Sequence, residues 1–283
     1  MSNLLALIAA CLYGAADFCG GLAVRRAPLL RVTALSQAVG LVALAVLAPL
    51  TSTWPGFGAD IAWGAAAGLL GGSGVALLYL GLARSAASVV APVSGVVALV
   101  LPVLAGLMIG ERPSVLVWSG IAVAAGAVTL IGGGAPEAHI GRAGRGGALI
   151  IAIAAGVMIG GFLVCLGRTS SQSGMWPLLA ARSVSTSLFL AGAAIASWRR
   201  PPSVAGSSSV IWLILGCGLL DMCANALYQR AVRGGELSVI ATLTNLYPAS
   251  TVVLAAMLLG ERPRRVQWVG FGLALMAVVM INA

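Results

Sequence analysis

The chain has 283 residues, 60% of them hydrophobic and only 8% charged, with a mean hydropathy of +1.05. A soluble domain carries about 25% charged residues, so this composition cannot clothe a water-facing surface and describes an all-α integral membrane protein. All 16 basic residues are arginine, against 7 acids, for a net charge of +9; no basic patch is interleaved with aromatics, so the excess reads as loop charge beside anionic lipid and not as a nucleic-acid footprint.

Ten apolar runs follow one another at about 3–23, 29–50, 61–83, 88–109, 115–133, 147–167, 175–197, 209–231, 237–259 and 265–282. Each is long enough to cross a hydrocarbon core of ~30 Å as a helix. Met1-Ser2-Asn3 has no basic n-region, and the run behind it is too long for a signal peptide, so the first run is read as a membrane span. Connections are short, which predicts that successive helices pack as antiparallel neighbours. Trp54, Trp63, Trp118, Trp176, Trp198, Trp212 and Trp268 fall at or just beyond span ends, where an amphipathic ring belongs. Tyr13, Tyr79, Tyr228 and Tyr247 fall within spans, where a hydroxyl needs a partner and points to a polar interior. Cys11, Cys19, Cys165, Cys217 and Cys223 all sit in apolar runs, the pattern of buried thiols and not of a disulfide framework or metal site.

Helix three repeats glycine every four residues at Gly64, Gly68 and Gly72, and helix six does so at Gly156 and Gly160; such faces let backbones approach closely in lipid. Pro92 and Pro102 fall in helix four and Pro248 in helix nine, and helix breaks are expected at all three. Paired broken helices in corresponding positions are a pointer to a binding site near the bilayer midplane. Between helices five and six a polar segment holds Gly132-Gly133-Gly134, Glu137, the lone His139, Arg142 and Arg145. No strand precedes its glycines, so it is not a phosphate loop, and His139 reads as a solvated loop residue.

The two sides of that segment are copies. Gly110-Glu111-Arg112-Pro113 returns 150 residues later as Gly260-Glu261-Arg262-Pro263, with Trp118 and Gly120 answering to Trp268 and Gly270. Upstream, Leu78-Tyr79 answers to Leu227-Tyr228 and Arg84 to Arg233 with a shift of one. The chain divides into repeats at 1–134 and 147–283 around a linker at 135–146. Locally the motif reads as punctuation: Gly closes one helix and Pro opens the next. Five helices per repeat is odd, so the second copy must enter the membrane inverted, an architecture of secondary transporters. Loops after odd-numbered helices hold Arg25, Arg26, Arg31, Arg84, Arg142, Arg145, Arg199, Arg200, Arg262, Arg264 and Arg265; the other side holds Arg112, Arg168, Arg230 and Arg233. The positive-inside rule then places the odd loops in the cytoplasm and both termini outside, in the cytoplasmic (inner) membrane of a bacterium.

Two carboxylates lie deep within spans, Asp17 in helix one and Asp221 in helix eight. A charge at the bilayer centre costs about 2.5–3.5 kcal/mol on insertion scales and by default marks a pathway or a site. Tyr13 and Asp17 are four apart and share a face; Asp221, Asn225 and Tyr228 form a stripe at i, i+4, i+7. Helix nine adds Thr242, Thr244, Asn245 and Tyr247 before Pro248, and helix seven adds Arg182, whose approximate counterpart in helix two is Gln37, beside Ser36. Turned inward, these faces enclose a cavity where each acid is either a structural partner of Arg182 or a substrate or proton site. Asp17, Asp221, Tyr13, Arg182, Asn225, Tyr228, Asn245 and Tyr247 are the candidate substrate or coupling residues. Neither metal-ligand spacing nor a nucleophile–base pair is present, so catalysis, a metal and a cofactor are not expected.

Ten helices in two halves, with a Gly-Glu-Arg turn before the last helix of each, resemble the EamA family of the drug/metabolite transporter superfamily. The likeness covers the whole chain and is better in the second half, at Asn245-Leu246-Tyr247-Pro248 followed by Glu261; Arg182 lies where the family often carries an early arginine. The resemblance implies export or exchange of a small metabolite such as an amino acid through a cavity lined by both halves. It also implies cytoplasmic termini, against the arginine count. The expected protein is therefore a monomeric or homodimeric secondary transporter in a lipid bilayer, with a small-molecule substrate and proton coupling through the carboxylates. The alternatives are an uncoupled facilitator and a membrane scaffold or assembly factor that transports nothing.

Overall fold

The computed structural model describes residues 1–56, 58–84, 87–133, 145–199 and 208–283. His139 and nearly all of the expected linker lie outside the described residues. The described residues form eleven α-helices: α1 (Ser2–Val24), α2 (Leu29–Thr51), α3 (Ala59–Arg84), α4 (Ala87–Met108), α5 (Val115–Gly132), α6 (Arg145–Gly167), α7 (Trp176–Arg199), α8 (Ser208–Val232), α9 (Leu237–Thr244), α10 (Tyr247–Leu259) and α11 (Arg265–Asn282). A 3-10 turn at Ser171–Ser173 precedes α7. Ten stretches are long and apolar enough to cross a membrane, α9 and α10 sharing one of them. Leu4, Val42, Leu50, Ile150, Ile195 and Leu275 point outward and exposed, as a lipid-facing belt requires.

Successive helices are not the main neighbours, and this corrects the expectation from loop length. The most extensive packing joins the two halves: α1 on α8, α5 on α11, and α3 on α6 and α7. Short loops force antiparallel direction, but glycine faces choose the partner. Gly64 and Gly68 of α3 lie under the carbonyls of Pro177 and Ala181 of α7, so close that a Cβ would collide with them. Gly156 and Gly160 of α6 sit in the same way on the Ser94 and Ala98 carbonyls of α4. In lipid there is no hydrophobic drive between helices, so backbone proximity of this kind decides who packs with whom.

These contacts carry the inverted symmetry. Gly120 of α5 rests on Met280 and Ile281 of α11, and Gly270 of α11 rests on Leu130 and Ile131 of α5, the same contact exchanged at a register of 150. Gly68 lies against the carbonyl of Ala181 and Gly218 against that of Ser36, which makes the next residues, Arg182 and Gln37, equivalents across the repeat.

The expected breaks at Pro92 and Pro102 do not occur: α4 runs through both prolines. Pro102 has no N–H to give the Ala98 carbonyl, yet that carbonyl is the one on which Gly160 packs, and the helix continues past it. Helix nine does break. Asn245 and Leu246 separate α9 from α10, with Pro248 in the first turn of α10. Steric conflict before a proline disfavours continued helix, and the break falls within the apolar stretch Leu237–Leu259.

Candidate functional site: a cavity between the halves

A cavity of about 700 Å³ lies between the repeats, within the ~300–1,000 Å³ range of small-molecule sites. Near its mouth it is lined by Gly21, Val24, Arg25, Leu29 and Leu78, all toward the face that carries the odd, arginine-rich loops. Its floor is made by Leu163, Leu178, Asn225, Thr244 and Asn245.

Two of its walls differ in chemistry. Helices α3 and α6 supply Ala67, Gly71, Val75, Ile159 and Phe162, which offer no polar side chain. Opposite stand the polar groups of α1, α2, α7, α8 and the α9–α10 break. Arg182 donates through one nitrogen to Asp221 Oδ2 at 2.5 Å and through the other to Gln37 Oε1. Ser185 adds a second donor to that same Gln37 oxygen at 3.0 Å. Arg182 is only 8% exposed, so its charge is spent within this network. Removing one member of a buried pair typically costs about 3–5 kcal/mol because the other charge is stranded.

Tyr13 Oη donates to Asn225 Oδ1 at 2.9 Å, and Asn225 Nδ2 donates back to the Asp221 carbonyl at 2.7 Å, so the two polar helix faces are bolted together. The Tyr13 and Tyr247 rings lie 6.3 Å apart, tilted by 59°. Asn245 lines the cavity but turns its amide onto its own helix, donating to the Ala241 carbonyl at 2.9 Å. Asp17 is exposed to the cavity and, among the described residues, has neither a hydrogen bond nor an ion pair.

The cavity thus gathers Tyr13, Asp17, Arg182, Asp221, Asn225, Asn245 and Tyr247. It leaves out Tyr228, which is fully buried beneath the floor with its hydroxyl on the Leu163 carbonyl at 2.9 Å. The i, i+4, i+7 stripe is real, but its last member passes below the cavity. Of Pro92, Pro102 and Pro248, only Pro248 marks a break. Sequence reasoning left Gln37, Ser185 and Thr244 off the candidate set. Gln37 was signalled by its repeat position opposite Arg182; Ser185 had no signal beyond its one-turn spacing from that arginine. Thr244 Oγ1 is buried without a hydrogen-bond partner at the cavity wall. All five cysteines are free, and among the described residues no group of three or more His, Cys, Asp or Glu is placed to hold a metal.

The opposite face, where the even loops lie, is sealed. Leu166, Tyr228 and Ile240 are fully buried there. Glu111, from the first Gly-Glu-Arg turn, accepts the backbone N–H groups of Leu237 and, at 3.0 Å, Ser238, the first turn of α9. Asp60 accepts from the Ser170 N–H at 3.0 Å and from the hydroxyls of Ser170 and Ser173. Arg233 donates to the Gly174 carbonyl at 2.8 Å and to Thr169 Oγ1 at 3.0 Å.

Comparison with known proteins agrees with this architecture. The family model described as the EamA-like transporter family matches residues 1–133 and 146–283. A search of curated proteins found no match. One crystal structure, described only as that of a protein, has a TM-score of 0.75 over 99% of this chain and 95% of its own, at 16% sequence identity. At that identity the likeness is one of fold alone.

Proposed function

The chain belongs to the EamA-like transporter family, and from that premise we propose that it is a secondary carrier of a small polar metabolite working by alternating access. The observation that carries this reading is the one-sided cavity: it opens toward the arginine-rich face and is sealed toward the other, between two halves related by inversion. By inversion the same chain can present the same cavity to the opposite face. The positive-inside bias assigns the arginine-rich face to the cytoplasm, which makes this the inward-open state with both termini outside.

The two Gly-Glu-Arg turns are the latches of this cycle. Glu111 holds the closed face by capping α9. Shifted by the repeat register, the equivalent target of Glu261 is the first turn of α4, at Ala87 and Ser88. Instead Glu261 meets Arg25 at 3.5 Å, both side chains more than half exposed. Closing the open face and opening the sealed one amounts to releasing Glu111 and seating Glu261.

Of the two membrane carboxylates, Asp221 is engaged by Arg182, so coupling to protons, where it occurs, falls to Asp17. Asp17→Asn should then remove pH-driven uptake, whereas an uncoupled facilitator has no pH dependence to lose.

The test is sided labelling in a cysteine-free background, with Gly21→Cys at the mouth, where a side chain meets open space, or Leu166→Cys in the sealed core. In the parent, Gly21→Cys reacts and Leu166→Cys is protected. Adding Glu111→Gln should expose Leu166→Cys and protect Gly21→Cys together. If both sites become reactive at once the protein is a channel, and if neither changes the alternating-access reading is wrong.

A further inference from the structure

Resting on the carrier reading, we infer that the substrate of this cavity is an organic monocation with an apolar body, its protonated amine on Asp17, and not a zwitterionic amino acid. The argument is a count of charges against their partners. Arg182 and Asp221 neutralise one another, and Gln37 occupies the other guanidinium nitrogen. Arg25 at the mouth is matched by Glu261. Asp17 alone among the charged cavity residues is left uncompensated, and it faces the open volume.

Among the described residues lining the cavity, no cationic group is left to receive a substrate carboxylate. An amino acid would have to take Arg182 from two buried partners or strand its own carboxylate in a site already one negative charge in excess. An amine has every complement it needs. Asp17 supplies the counter-charge, and the rings of Tyr13, one turn away on α1, and of Tyr247 line the same cavity and can take a cation on their faces. Thr244 offers a buried hydroxyl with no other use, and its carbonyl receives nothing from Pro248, which has no N–H. The apolar wall of α3 and α6 then takes a hydrocarbon or aromatic body. In α3, Gly71 and Gly72 let Phe162 of α6 and Ser185 of α7 pack closely against the helix, so no polar side chain of α3 enters this part of the cavity.

Three probes sharing one indole body separate the possibilities: tryptamine as cation, tryptophan as zwitterion and indole-3-propionate as anion, each titrated calorimetrically into the purified wild-type protein. Tryptamine should bind at least ten-fold more tightly than either of the others. Asp17→Asn should weaken tryptamine ten-fold or more, and Asp17→Glu, which keeps the charge, should retain most of the binding. Equal or tighter binding of tryptophan or indole-3-propionate overturns the assignment, as does wild-type protein that is folded yet binds none of the three. The wild-type comparison needs no variant to fold. The carrier reading stands or falls separately on the cysteine labelling, which uses no ligand.

Discussion

The two copies of the Gly-Glu-Arg turn begin alike and end differently. Gly110 and Gly260 both take positive φ, at 95° and 68°, in the short turns that join α4 to α5 and α10 to α11. The first turn seats its glutamate on a helix N-terminus; the second leaves its glutamate at the surface beside Arg25. One residue explains much of this. Five positions before Glu111 stands Gly106, and the carboxylate lies where a Cβ on Gly106 would be. Five positions before Glu261 stands Ala256, which carries the Cβ that Gly106 lacks. An inverted repeat would give two equally populated states if its halves were identical. Here the sequences differ at the two turns, which on the proposed cycle favours the state described.

The largest change to this comparison is Glu111→Gln, which weakens charge-assisted bonds to two backbone N–H groups and should shift the equilibrium by about 2 kcal/mol, roughly thirty-fold. Gly106→Ala comes next: its Cβ displaces the carboxylate that Gln keeps in place, a clash worth about 1–2 kcal/mol. Exposure of Leu166→Cys in that background should rise about ten-fold. Ala256→Gly acts from the other side by opening a seat for Glu261. We expect about 1 kcal/mol, near five-fold, read as slower labelling of Gly21→Cys. If Ala256→Gly leaves that rate unchanged, the two latches are not equivalents. Arg25→Ala should do least, since an exposed ion pair is worth at most about 1 kcal/mol, and labelling should stay within a few-fold of the parent.

Much of the fold was legible because hydrocarbon leaves few choices. Backbone groups must be satisfied within each span, so apolar length alone fixed the helix ends to within about two residues for most spans. The Pro248 break followed from local sterics, as did the glycine turn ends. Inversion followed from counting helices and arginines. The chemistry of the site was half legible: Asp17 and Asp221 stood out because charge is costly in lipid, and Tyr13 and Asn225 by their shared faces with those acids.

The rest depended on which surfaces meet. Pro102 resembles Pro248 in sequence, yet Gly160 of another helix packs on the carbonyl it leaves bare, and α4 stays whole. Arg182 had two acids to choose from, and the packing of both α7 and α8 on α2 gave it Asp221 and left Asp17 free. Tyr228 has the spacing of a cavity residue and the position of a seal. Glu111 reads as part of a turn until α9 is seen to begin 126 residues later under its carboxylate. Sequence by itself determined the number, length and inversion of the helices, because those depend on each segment's own free energy in lipid. Tertiary structure decided the partners, which described cavity charge is left without one and the side that is open, because each is set by groups far apart in the chain competing for the same space.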